Sequence, residues 1–120
     1  MSYKSQVKEL YDMIFQGQIM EGFEKFYGEN VTMIEASGEA FEGKETNRER
    51  EKQFVASVKE FHDGGVEGMT SDEEAGITMV ENWMDVTFQD GNRVKMEQIA
   101  RQKWDGDKIV EERFYYNMAG

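Results

Sequence analysis

Val86-Thr87-Phe88-Gln89-Asp90-Gly91-Asn92-Arg93-Val94-Lys95-Met96 is the stretch whose reading decides the fold. On each side of Asp90-Gly91-Asn92 apolar and polar side chains alternate with period two, which is the signature of two half-buried strands joined by a tight turn. Turn signals of the same kind at Glu74-Ala75-Gly76 and Asp105-Gly106-Asp107 cut everything beyond Val66 into four strands, an antiparallel meander. A three-residue loop at 90–92, with Asn92 in the left-handed position, sets Phe88 beside Val94, Val86 beside Met96, Met84 beside Gln98 and Asn82 beside Ala100. The even-numbered side chains then form one mostly apolar face. The opposite face pairs Glu81 with Arg101, Met79 with Lys103, Trp83 with Ile99 and Asp85 with Glu97. A loop of equal length at 105–107 adds Val110, Glu112, Phe114 and Tyr116 to the apolar face, next to Gln102, Ala100, Gln98 and Met96.

Upstream the period changes. Val7, Leu10, Tyr11, Ile14 and Phe15 recur at helical spacing over 5–15, and Gly17 ends the pattern. Ile19, Phe23, Phe26 and Tyr27 make a second, shorter helix stopped by Gly28, with Asn30 as a turn residue. Residues 31–35 read as a strand, and a short extended piece lies around Ala40-Phe41, between Gly38 and Gly43. Thr46 or Asn47 caps a third helix whose narrow stripe is Phe54, Val55, Val58 and Phe61, ending at His62-Asp63-Gly64-Gly65. Helices first and antiparallel strands after predict an α+β domain with the helices on one face of the sheet.

The chain has 120 residues, enough for one core and too few for two, so a single domain over 1–120 is expected. Its 25 acidic against 14 basic residues leave a net charge of -11, which repels phosphate backbones and anionic lipid. Neither nucleic acid nor a membrane surface is expected as a partner. Cysteine is absent, which excludes disulfides, thiolate nucleophiles and sulfur-based zinc sites. With no apolar run of about 20 residues and no apolar core in the first residues, a cytoplasmic protein is expected. A single histidine, His62, cannot build a multi-histidine metal site, and Asp72-Glu73-Glu74 lacks the alternating ligands of a calcium loop. No metal and no cofactor are expected.

The face turned toward the helices is not uniformly oily. Asn82, Gln98, Gln102, Glu112 and the Tyr116 hydroxyl share it with Met84, Met96 and Phe114, and buried polar groups need partners, water or a ligand. Together these eight are the candidate lining of a ligand pocket. Glu112 is the candidate catalytic residue, because a carboxylate on an apolar wall has its pKa raised toward the range of a general base; its bland alternative is a rim residue touching water. Gln98 and Tyr116 are candidate donors to a ligand carbonyl, and equally a pair that satisfies itself. Met84 and Met96 suit a wall that adapts its shape. On the outer face Met79, Trp83, Ile99 and Tyr115 lie on adjoining strands as a candidate subunit interface. Asp85 and Glu97, facing each other there, read as a surface network neutralised by Lys95 and Arg113.

Val86-Thr87-Phe88 before a glycine hairpin, Met96-Glu97-Gln98-Ile99 after it, and Lys108-Ile109-Val110-Glu111-Glu112-Arg113-Phe114-Tyr115-Tyr116 at the end resemble SnoaL-like proteins, a polyketide-cyclase-like branch of the nuclear-transport-factor-2-like superfamily. The helical N-terminal half and 38–44 fit the same order, so the resemblance covers essentially the whole chain. It implies a cystatin-like α+β fold: a cone-shaped curved antiparallel sheet wrapped around N-terminal helices, a pocket between them, and a homodimer formed through the sheet. Relatives of this fold include cyclases, ketosteroid isomerases, dehydratases and epoxide hydrolases. Where the epoxide hydrolases carry an arginine and two aspartates this chain has Gln98, Ala100 and Phe114, so that chemistry is not expected. The leading expectation is a pocket for a small apolar or carbonyl-bearing molecule, with a cyclase or isomerase reaction run through Glu112. The alternative is a non-catalytic dimeric binding or interaction module.

Overall fold

The computed structural model describes residues 2–117. Helix α1 (Tyr3–Phe15) begins where the Ser2 hydroxyl accepts from the Ser5 amide at 3.0 Å, and it turns Val7, Leu10 and Tyr11 inward. Helix α2 (Ile19–Phe26) packs against it, close enough that Gly22 leaves only 3.0 Å between a notional Cβ and Leu10. Strand β1 (Tyr27–Ile34) follows without a break, so Asn30 lies within a strand at an irregularity between Tyr27 and Thr32 and not in a turn. Strand β2 (Ala40–Glu42) folds back on β1.

Helix α3 (Lys44–Ser57) starts earlier and ends earlier than its stripe suggests. Thr46 and Asn47 lie inside it. Asn47 ties the helix to β2 by donating to the Phe41 and Gly43 carbonyls at 2.9 Å each. Val58, Phe61 and His62 belong instead to strand β3 (Val58–Asp72), which pairs with β4 (Ile77–Phe88) from Val58 opposite Phe88 onward. Ladder hydrogen bonds with β4 outweigh the weak helical spacing, and bulges at three places absorb the mismatch in residue count. His62 caps no helix; its Nε2 lies 2.7 Å from the Thr87 hydroxyl across the two strands.

Strands β5 (Arg93–Asp105) and β6 (Lys108–Tyr115) complete one open sheet in the order β2-β1-β6-β5-β4-β3. Every pair is antiparallel except β1 with β6, which are parallel because the rest of the chain forms the crossover between them. The helices cover one face. Their apolar side chains, with Val31, Met33, Val80, Trp104 and Ile109 from the sheet, form the core. Among the described residues no helix is long and apolar enough to cross a membrane.

The predicted face assignment stands: Thr78, Val80, Asn82, Val86, Ala100, Gln102 and Trp104 are buried, whereas Met79, Glu81, Ile99 and Lys103 are exposed. The register along β4 and β5 is displaced by two residues from the predicted one. Val86 faces Val94, Met84 faces Met96, Asn82 faces Gln98 and Val80 faces Ala100. The cause is the turn, a longer loop from Phe88 to Asn92 in which Gly91, at φ +91, takes the left-handed position predicted for Asn92. A shift of two preserves the faces but changes partners. Trp83 lies opposite Glu97 and Ile99 opposite Glu81, while Asp85 lies opposite Lys95 and holds Arg93 at 2.9 and 3.1 Å. The Asp85–Glu97 pairing therefore does not form.

At the last hairpin Asp105 pairs with Lys108, leaving only Gly106-Asp107 as the turn, and a register irregularity follows beside Trp104. It turns Ile109 inward in place of Val110, then restores the predicted parity so that Glu112 lies opposite Gln102 and Phe114 opposite Ala100.

At Gly64 strand β3 comes so close to Phe15 of α1 and to the backbone of β4 that glycine fits where a side chain does not. A Cβ on Gly64 meets Phe15 at 2.7 Å, Phe61 at 2.9 Å and the Trp83 carbonyl at 3.0 Å, whereas one on Gly65 meets nothing nearer than 3.4 Å. We expect Gly64→Ala to lower stability by about 1–3 kcal/mol through overpacking, read as a fall in Tm, and Gly65→Ala to change it little. Equal melting temperatures for the two variants contradict this account of the close approach.

Candidate functional site

A cavity of about 710 Å³ lies between the helices and the inner face of the sheet. Its inner end is built on β6. Glu112 is 1% exposed, and both of its oxygens are held: the Tyr27 hydroxyl donates to Oε1, and Gln102 Nε2 donates to Oε2 at 2.7 Å. The Gln102 amide cannot turn round, because its oxygen accepts from the Thr78 hydroxyl at 2.7 Å, which in turn accepts from Trp104 Nε1 at 2.9 Å. A directed chain of donors thus runs from Trp104 to the carboxylate. Burial pushes the Glu112 pKa up, the hydrogen bonds from Tyr27 and Gln102 pull it back, and the carboxylates of Glu51 and Glu35 raise it further, to about 7. Tyr27 and Tyr11 are themselves raised well above the usual phenol range, first by burial and then by the Glu112 charge.

The sheet wall of the cavity carries Asn82, Met84, Met96, Gln98 and Phe114. Asn82 donates to the Val80 carbonyl at 3.1 Å and to the Tyr11 hydroxyl at 3.5 Å, and its oxygen accepts from Gln98 at 3.3 Å. Tyr116 stands at the mouth beyond the end of β6, 41% exposed, with its hydroxyl donating to Glu35 at 3.0 Å. Gln102 does not line the cavity. It lies behind Glu112, completely buried, as the support of the carboxylate.

The helix side contributes groups that the sequence pattern left unmarked. Tyr11 and Tyr27 counted there only as apolar positions, though a phenol in such a stripe carries a hydroxyl that must find a partner. Arg50 and Glu51 on α3 were hidden in a run of charges. Arg50 pairs with Glu35, donates to Asn47 at 3.0 Å and stacks 3.8 Å from the Phe41 ring centre. Glu51 borders the cavity beside it, and burial raises its pKa, partly offset by the Arg50 charge.

On the outer face Met79, Ile99 and Tyr115 are 43–45% exposed, with Ile99 and Tyr115 directly paired across β5 and β6. Trp83 is half-buried beneath the Lys95 ammonium, 4.7 Å from its ring centre. Among the described residues no three acidic or imidazole groups come together as a metal site.

The family profile of the SnoaL-like domain matches residues 1–116. Among solved structures, a candidate SnoaL-like polyketide cyclase from Mesorhizobium loti is 28% identical, with 97% of this chain and 100% of that one aligned at a TM-score of 0.83. A candidate polyketide cyclase from Pseudomonas putida is 16% identical over 99% of this chain and 94% of that one, TM-score 0.83. A protein of ketosteroid isomerase-like fold from Catenulispora acidiphila, solved in complex with trimethylamine, is 11% identical over 93% and 85%, TM-score 0.75. No curated protein matches the chain.

Two measurements test the carboxylate's setting. An NMR titration of Glu112 should give a value near 7 in the native protein and a higher one in Tyr27→Phe, because a donor to the ionised form is lost. Raised from 4.5 to about 7, the group stabilises the fold fully below 4.5 and loses that contribution as pH rises to 7, roughly 3 kcal/mol in all. Denaturant unfolding should therefore show Glu112→Gln gaining stability relative to the native chain between pH 4.5 and 7; parallel profiles contradict the assignment.

Proposed function

The chain belongs to the SnoaL-like domain family, and on that premise we propose that its cavity binds a small, mostly apolar molecule bearing a carbonyl or hydroxyl group, with Glu112 as general base. The single observation that carries this reading is a buried carboxylate bordering a cavity of about 710 Å³, its pKa at about 7 and its orientation fixed by Tyr27 and Gln102. A base that titrates near neutrality is half ionised where it works, and a volume in the range of about 300–1,000 Å³ suits a ligand of drug size.

The step is a proton transfer. Glu112 takes a proton from the carbon beside the ligand carbonyl, the C–H electrons move to form a carbon–carbon double bond, and the carbonyl oxygen becomes an enolate. On the cavity wall the Tyr11 hydroxyl and the Gln98 amide supply hydrogen bonds to that oxygen. Where the ligand carries a carbon–carbon double bond next to the deprotonated carbon, the enolate is a dienolate, and return of the proton from Glu112 to its far carbon completes an isomerisation. Where the ligand carries a second carbonyl, attack of the enolate carbon on it, with the resulting alkoxide taking the proton back from Glu112, completes a cyclisation. Exchange of the α-hydrogens of 2-tetralone with deuterium, followed by NMR, tests the step. Glu112→Gln should slow exchange by about 10²–10⁴-fold, and an unchanged rate removes Glu112 as the base.

A second reading, a non-catalytic binding module, is favoured by one fact: every polar group around Glu112 is satisfied within the protein, so folding alone accounts for the constellation. Native protein that exchanges 2-tetralone no faster than buffer supports it.

In either case we propose a homodimer through Met79, Trp83, Ile99 and Tyr115, in the cytoplasm, a location that the cysteine-free sequence supports. Light scattering should give twice the 14.0 kDa of one chain for the native protein and a single chain mass for Ile99→Glu. Equal masses for both remove this face as the contact.

A further inference from the structure

The cavity's charges do not balance. Two basic residues border it, and neither places an uncompensated positive charge inside. Arg50 is consumed by Glu35, Asn47 and the face of Phe41, and the Lys95 ammonium stands over Trp83 on the outer side of the sheet. On the acidic side Glu35 is neutralised by Arg50 and Glu97 is exposed to water, but Glu51 makes no hydrogen bond or ion pair among the described residues, its charge only partly offset by Arg50, and Glu112 is held by neutral donors alone. These two carboxylates come from different walls, α3 and β6. They are no metal cluster, since no three such groups converge. Six aromatic rings, Tyr11, Phe23, Tyr27, Phe54, Phe114 and Tyr116, share the lining with them among aliphatic and methionine side chains.

A carboxylate taken partly out of water with too little positive charge beside it is costly, and an aromatic face attracts positive charge. A neutral ligand leaves that cost in place and expels the water that eases it; an anion adds to it. A cation relieves it, and the net charge of -11 draws cations toward the protein. We propose that the ligand of this cavity is an organic cation, an apolar molecule bearing an amine or quaternary ammonium group whose charge rests against Glu51 and the aromatic walls. This inference rests on the reading of the cavity as a small-molecule site and adds the ligand's charge to it. It also divides the labour: Glu51 binds, and Glu112 remains available for proton transfer. Since the Glu51 charge contributes to the raised pKa of Glu112, neutralising it with a bound cation makes Glu112 more acidic.

Calorimetry at pH 8 with benzyltrimethylammonium, benzyl alcohol and phenylacetate tests the proposal on the native chain and on Glu51→Gln. We expect the ammonium to bind at least tenfold more tightly than the alcohol, phenylacetate not to bind, and Glu51→Gln to weaken the ammonium about tenfold without moving the alcohol. Independently of any variant, an NMR titration of the native protein should show the Glu112 pKa falling when benzyltrimethylammonium is added and not when benzyl alcohol is. If the alcohol binds as well as the ammonium, or the Glu112 pKa stays where it was with ammonium bound, the charge assignment is overturned while the small-molecule cavity stands. If none of the three probes binds or shifts the amide resonances of cavity residues, both readings fall together.

Discussion

A carboxylate buried to 1% exposure has to be held by something, and much of the arrangement around the cavity follows from how Glu112 is held. Tyr27 and Gln102 satisfy its two oxygens, Thr78 fixes the sense of the Gln102 amide, and Trp104 fixes the sense of the Thr78 hydroxyl. Each member has a single orientation that satisfies all the others, so the network specifies one packing of β1, β4, β5 and β6 where apolar contacts alone would tolerate several. The same network favours the ionised form, while burial favours the neutral one. Neither effect wins outright, which is why the group is poised near neutrality and not at an extreme.

Most of the fold was legible in the sequence because period-two alternation is a strong signal and a register slip of two residues leaves it intact. Glycine-bearing turns marked every hairpin, and parity alone placed Asn82, Met84, Met96, Gln98, Glu112 and Phe114 on the inner face. What failed were quantities that depend on counting residues through a turn. The loop after Phe88 is longer than its Asp-Gly-Asn suggests, and the irregularity beside Trp104 exchanges Val110 for Ile109. The end of α3 was unreadable for a different reason, since residues 58–65 carry a passable helical stripe and only a long-range partner, β4, makes them a strand.

The candidate site was half legible. Residues on the strands could be assigned to a face by arithmetic, whereas Tyr11, Tyr27, Arg50 and Glu51 reach the cavity from helices and from a strand of another part of the chain, and no local pattern says which charged or phenolic side chain of a helix meets a cavity. Gln102 shows the converse: its face was read correctly, but only three-dimensional packing places it behind Glu112 and away from the cavity.

The parallel pairing of β1 with β6 has a temporal consequence. Tyr27 and Glu112 are separated by 85 residues, and their contact forms only when the first strand docks beside the last. Closing so long a loop is entropically unfavourable until the intervening meander exists to bridge it. A chain still emerging from the ribosome can thus build its helices and its central hairpin before the Glu112 centre exists, and that centre forms only once β6 has been made and has docked beside β1.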